Sequence, residues 1–199
     1  MAAPHAGATL GDKMTWTIPN ILTVLRMLAA PLVPLVYLVC DGRPAAIVAF
    51  LLFVAAAVTD WFDGYLARKW NQQSKFGTML DPIADKAMVV LALLVIVGAS
   101  GMNGWLLFPA TIILFRETFV SGLREFLGAD AKLLQVTQLA KWKTTAQMVS
   151  IALLLLGMAV GGGFFWGLGV LLIWVAAVLT LLTGADYLQK AMPFLRGPK

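Results

Sequence analysis

Charge is scarce in this chain: of its 199 residues only 13% are Asp, Glu, Lys or Arg, where a soluble domain carries about a quarter. Cysteine occurs once, at Cys40, and histidine once, at His5. A lone cysteine excludes an intrachain disulfide framework, and its place in an apolar run reads as a packed, inert thiol. His5 reads as solvated polarity. The first twenty residues lack a basic stretch running straight into a short apolar core, so a cleaved signal peptide is not expected and the first apolar helix is expected to stay. What is abundant is apolar surface, at 60% of residues. Together these features exclude a soluble globular enzyme, a disordered chain and a disulfide scaffold. They leave an all-α integral membrane protein of one compact domain. The net charge of +5 fits basic loops beside the headgroups of an anionic bilayer, and no nucleic acid partner is expected.

A membrane span needs roughly 20 mostly apolar residues. Six segments qualify. The first runs from Ile18 to Cys40 and ends at the turn-like Asp41-Gly42-Arg43-Pro44. The second starts near Ala45 and reaches Asp60, with its helical pattern continuing to Lys69. The third runs from Leu80 to Gly98 and the fourth from Trp105 to Phe126. Thr144 to Ala185 carries no charge at all and is long enough for two spans, divided at Gly161-Gly162-Gly163. The expected organisation is an N-terminal interfacial segment over 1–17, a six-helix domain over 18–191 and a tail over 192–199. With six spans, a dozen Lys and Arg between Lys13 and Lys199 fall on one side and Arg43 alone on the other. The positive-inside rule then puts both termini in the cytoplasm. Gly163 and Gly167 have small-xxx-small spacing, but at a loop boundary turn chemistry is the simpler reading.

Sixteen of the 25 charged residues fall in two stretches, 60–86 and 116–143. In the first, Asp60 and Asp63 are three apart and Asp81 and Asp85 four apart, so each pair shares a helix face. A short polar connection joins the two helices, so four carboxylates can converge. Clustered carboxylates near a membrane must be protonated or hold cations. Hard divalent ions prefer carboxylate oxygen, and four carboxylates suit one or two Mg²⁺ or Mn²⁺ ions. Gly64 and Ala67 leave a groove beside Asp60, and Arg68 adds a fork suited to phosphate. Against this stands the plain alternative of helix-end charges paired with nearby Lys and Arg, with Asp81 before Pro82 serving as an N-cap.

These residues carry a resemblance. Asp60, Asp63, Gly64, Ala67, Arg68, Gly77, Asp81 and Asp85 reproduce D-x2-D-G-x2-A-R-x8-G-x3-D-x3-D without departure, and the chain resembles the CDP-alcohol phosphotransferase family. The resemblance implies a six-helix, usually dimeric fold. It implies a centre of two divalent cations held by Asp60, Asp63, Asp81 and Asp85, with Asp85 also the general base. It further implies a cytidine diphosphate cradle that includes Gly64, Ala67, Arg68, Ser74 and Gly77. In the opening IPNILTVLRM, Asn20, Thr23 and Arg26 are expected to touch the CDP-lipid, with snorkelling of Arg26 as the alternative.

The second charged stretch bears on the acceptor. Arg116 and Arg124 are offset by only ~80° on an ideal helix, so both can reach one cavity. Lys141 and Lys143 begin the next helix on the same side. These four cations suit an acceptor that itself carries phosphate; the alternative is a set of headgroup anchors. Glu117 and Glu125 each follow an Arg and neutralise part of this charge locally. IPNILTVLRM, RETFVSGLRE, KWKTTAQM and DYLQKA resemble the bacterial phosphatidylglycerophosphate synthases within the family. That implies CDP-diacylglycerol as donor, sn-glycerol 3-phosphate as acceptor and a bacterial inner membrane location. The rivals are another family enzyme, using inositol phosphate or a neutral alcohol, and a cation transporter. The transporter would place the acids near midplane on broken helices, whereas here they fall at helix ends.

Overall fold

The computed structural model describes residues 17–70, 74–128 and 138–195, with the side chains of 63–68 and 75 outside the description. The described residues form six long helices and no strand. They are α1 (Ile18–Leu35), α2 (Gly42–Lys69), α3 (Lys75–Ala99), α4 (Gly104–Leu127), α5 (Gln138–Val160) and α6 (Phe164–Leu195), with a 3₁₀ turn at Val36–Leu38 after α1. Each contains a segment long and apolar enough to cross a membrane. At 1.5 Å of rise per residue, α2 is about 42 Å long and α6 about 48 Å, against a hydrocarbon core of about 30 Å. The surplus carries polar residues at one end: Asp60 to Lys69 on α2, and Asp186, Tyr187 and Lys190 on α6.

Local chemistry sets the helix starts. The Thr17 hydroxyl accepts the Asn20 backbone N–H at 3.4 Å, with Pro19 in the first turn of α1. Asn103 accepts the Trp105 N–H at 2.9 Å and opens α4. Ser74 accepts the Gly77 N–H at 2.9 Å and opens α3. That cap starts the third span at Lys75, five residues before the Leu80 expected from hydropathy alone. Asp81 and Pro82 consequently lie inside α3, and the N-cap reading of Asp81 is replaced. Helix α6 also runs past the expected domain edge at 191, to Leu195. Cys40 is only half-buried, beyond the 3₁₀ turn, and is not a core residue.

The helices close into a ring. α1 packs on α2 and α3, α2 on α5, α5 on α6, and α6 on α4, while α3 and α4 meet sparsely. Small residues permit the close approaches: Ala30, Ala49, Ala92, Ala110, Ala176 and Ala177 are all buried. This is how helices associate where lipid removes most of the hydrophobic drive. Large side chains such as Leu28, Leu51, Leu94, Phe108 and Leu171 point outward, as a bilayer-facing surface requires. The turn between α5 and α6 uses positive φ at Gly161, Gly162 and Gly163, and the guanidinium of Arg43, the lone cation of that side, lies against Gly161. Gly163 and Gly167 make no close helix contact, in keeping with turn chemistry.

A close backbone approach lies elsewhere, at Gly157, where a Cβ would lie 2.8 Å from the backbone nitrogen of Trp166. Gly157→Ala is expected to cost about 1–3 kcal/mol through overpacking, seen as a lower thermal denaturation midpoint in detergent. Gly98→Ala, where nothing lies within 4 Å, is the control and should leave the midpoint unchanged or slightly higher.

Candidate active site

The site lies at the end of the bundle where α1, α3 and α5 begin and α2, α4 and α6 finish. Helices α2 and α3 touch little there, and α1 packs against both. Side chains of α1 therefore link the two aspartate-bearing helices. Arg26 is buried, with its side chain 2% exposed, and its guanidinium meets three carboxylates. It pairs with Asp60, lies 3.4 Å from Asp81 and lies 3.3 Å from Asp85. The Thr23 hydroxyl donates to Asp81 at 2.7 Å and is also 3.0 Å from the Pro19 carbonyl. Near the start of α1, the Ser74 hydroxyl donates to the Asn20 carboxamide oxygen at 2.8 Å. A Cβ on Gly77 would stand 2.7 Å from that oxygen, so a larger residue there would displace the Asn20 carboxamide from Ser74.

Asn20, Thr23, Arg26, Ser74, Gly77, Asp60, Asp81 and Asp85 thus form one continuous set. Arg26 stands among the carboxylates as well as beside the expected nucleotide cradle. The side chains of Asp63, Ala67 and Arg68, together with the surroundings of Gly64, lie outside the described set; their backbone continues α2. Asp60, Asp81 and Asp85 are each about half-exposed on their outer side. Among the described residues no three acidic, His or Cys side chains already form a metal cage. The donor set nevertheless fits hard divalent cations: it consists of carboxylate oxygens, converges on one centre of positive charge and exceeds what a single guanidinium can neutralise.

A cavity of about 370 Å³ opens from this cluster into the gap between α3 and α4. Asp60 and Asp85 lie on its acidic wall. Arg116 and Arg124 of α4 and Lys143 of α5 lie on its basic wall, as expected from the sequence. Lys141 does not line the cavity and is exposed. Residues two apart differ by about 200° round a helix, so Lys141 and Lys143 cannot both face inward.

Four further contacts order the basic wall. Glu117 pairs with Lys143 and accepts from Arg116 at 3.1 Å. Arg124 donates through Nε to the Tyr187 hydroxyl at 3.2 Å, and its guanidinium carbon is 5.2 Å from that ring's centre. The Lys86 ammonium bonds to Ser121 across the α3–α4 gap. In sequence, Glu117 neighbours Arg116 and offers it local neutralisation. Its reach to Lys143 on another helix had no signal in sequence spacing. Lys86, Ser121, Thr144 and Gln147 also line the cavity and were not expected there. On α5, Ala140, Lys143, Thr144 and Gln147 follow helical spacing, a cue that was available in KWKTTAQM.

The model of the CDP-alcohol phosphatidyltransferase family matches residues 16–182, and the chain belongs to that family. Enzymes of the family generally depend on divalent metal. Among curated relatives, the CDP-diacylglycerol–glycerol-3-phosphate 3-phosphatidyltransferase of Cereibacter sphaeroides is 55% identical, over 94% of this chain and 100% of the relative. Proteins of the same name from Escherichia coli strain K12 and Rickettsia bellii are 42% and 40% identical, each over 89% of this chain and 96% of the relative.

The bridge between α4 and α5 is testable without substrate. Glu117→Gln and Lys143→Met, made singly and together, should show a coupling of about 1–3 kcal/mol in unfolding free energy. Additive effects would mean that the two groups do not interact.

Proposed function

We propose that this chain transfers the phosphatidyl group of CDP-diacylglycerol to sn-glycerol 3-phosphate, giving phosphatidylglycerophosphate and CMP. The observation that carries this reading is the single cavity whose acidic wall holds Asp60 and Asp85 and whose basic wall holds Arg116, Arg124 and Lys143. Phosphate-bearing acceptors need such a wall; serine, choline and inositol do not. The names of the relatives agree with that acceptor. Choice of glycerol phosphate over inositol phosphate rests on those names and on the subfamily-like segments, because charge alone does not separate them.

In this reading Asp60, Asp63, Asp81 and Asp85 hold two divalent cations, Mg²⁺ or Mn²⁺, which supply neutralisation of charge on the pyrophosphate when bound. Asn20, Thr23, Arg26, Gly64, Ala67, Arg68, Ser74 and Gly77 receive the CDP end of the donor. Arg116 and Lys143 bind the acceptor's phosphate, with Arg124 held at the rim by Tyr187. Asp85 takes the proton of the attacking hydroxyl. The acceptor oxygen bonds to the β-phosphorus, the bond to the CMP oxygen breaks, and CMP leaves with the electron pair. The same reading has the protein in a bacterial inner membrane as a homodimer, with termini and site on the cytoplasmic side. The excess of Lys and Arg at the site's end supports that orientation.

Purified enzyme supplied with CDP-diacylglycerol should release CMP with sn-glycerol 3-phosphate and not with serine, inositol or inositol phosphate. Turnover only with inositol phosphate would reassign the acceptor, and cation flux in proteoliposomes without CMP release would restore the transporter. Chelation by EDTA should stop turnover, and Mg²⁺ or Mn²⁺ should restore it. Asp85→Asn should lower kcat by about 10²–10⁴ while CDP-lipid binding persists; near-normal kcat would remove the base role. Arg116→Ala should raise the acceptor KM about tenfold or more with a smaller effect on the donor KM.

A further inference from the structure

One cavity-lining group has no part in the chemistry described so far. Gln147 is buried, 4% exposed, on the inward face of α5, one turn beyond Lys143. Its carboxamide oxygen is fully enclosed and has no hydrogen-bond partner. Its backbone carbonyl accepts from the Ser150 hydroxyl at 2.9 Å, so it is the side-chain carboxamide oxygen that is unanswered. A buried polar group without a partner is destabilising, and native proteins rarely keep one without a reason. Here the residue borders the space where the acceptor is placed.

We propose that Gln147 is a specificity-determining residue that hydrogen-bonds the free secondary hydroxyl of a phosphorylated polyol acceptor. The inference rests on the function proposed above. Each other group of the acceptor already has a counterpart of matching charge: Arg116 and Lys143 for its phosphate, Asp85 for its reacting hydroxyl. What remains on glycerol phosphate is one neutral hydroxyl, which both donates and accepts. A carboxamide is a neutral side chain that answers either role, since rotation presents its oxygen or its NH₂. Lys143 and Gln147 are separated by about 6 Å of helical rise, a spacing that lets one three-carbon acceptor engage both. A site built to bond a substrate hydroxyl discriminates strongly against the analogue lacking it, because its own polar group then stays unpaired.

The test compares sn-glycerol 3-phosphate with 3-hydroxypropyl phosphate, the same acceptor without the middle hydroxyl, using full-length enzyme, CDP-diacylglycerol and CMP release. For the wild type, kcat/KM should be at least about tenfold lower with the deoxy acceptor. Gln147→Met should lower kcat/KM for glycerol phosphate by a similar factor. It should leave the deoxy acceptor within about twofold and the donor KM unmoved. Equal use of both acceptors by the wild type overturns the proposal without any variant. Discrimination that survives in Gln147→Met assigns the hydroxyl to another group, and an equal loss on both acceptors makes Gln147 a packing residue. If the Met variant does not fold, Gln147→Asn withdraws the same amide by one methylene and must narrow the discrimination; an unchanged ratio overturns the proposal. Absence of CMP release with glycerol phosphate in the wild type is a separate outcome, which removes the parent function and this inference together.

Discussion

Three carboxylates on two helices and one buried guanidinium on a third set the geometry of the active end. Asp60 belongs to α2, Asp81 and Asp85 to α3, and those helices make little direct contact. Without a cation between them the acids would drive the helices apart, and burying Arg26 at 2% exposure without the acids would be equally unfavourable. Each half makes the other tolerable. The hydrogen bonds from Thr23 to Asp81 and from Ser74 to Asn20 hold α1 in register with α3. Asn20, Thr23, Arg26 and Ser74 are therefore one structural unit with the carboxylates, so a change in α1 reaches the acids through Thr23 and Arg26.

The opposite wall is ordered by a different device. Arg116 and Lys143 face the same space and repel, and Glu117 lies between them as a shared counter-ion. It offsets part of their charge yet fixes their positions, leaving a wall that is still cationic toward a bound anion. The sparse contact between α3 and α4 has its use here. A tightly packed seam would leave no room for a second substrate beside the carboxylates, and the Lys86–Ser121 bond spans the gap without closing it.

The sequence disclosed the spans and the aspartates for a simple reason. Both signals are local: twenty apolar residues make a span whatever surrounds them, and acids three or four apart share a helix face. Helix ends were harder, because a cap depends on one side chain. Ser74 moved the start of α3 by a turn and put Asp81 inside the helix. The basic wall shows in the sequence only as a composition of cations, which admits both Lys141 and Lys143. Helix geometry allows only one of them inward. The Glu117–Lys143 and Arg124–Tyr187 contacts join residues 26 and 63 positions apart, a relation that spacing within one helix cannot express.

In the proposed reaction two anionic substrates would meet in this cavity, and that requirement would account for its walls. A pyrophosphate beside the aspartates adds negative charge to a region already rich in it, so carboxylates alone would repel the donor. Cations held by those carboxylates would reverse the local sign. A second phosphate entering the same space would meet the donor's charge next, which explains a separate basic wall in place of one mixed cluster. With the acidic and basic walls lining one cavity of about 370 Å³, the two anions can be drawn to different sides of a common space. Their reacting ends can then meet near Asp85 while their phosphates stay apart. The scarcity of charge elsewhere in the helices strengthens the effect, because an apolar surround screens these interactions less than water does.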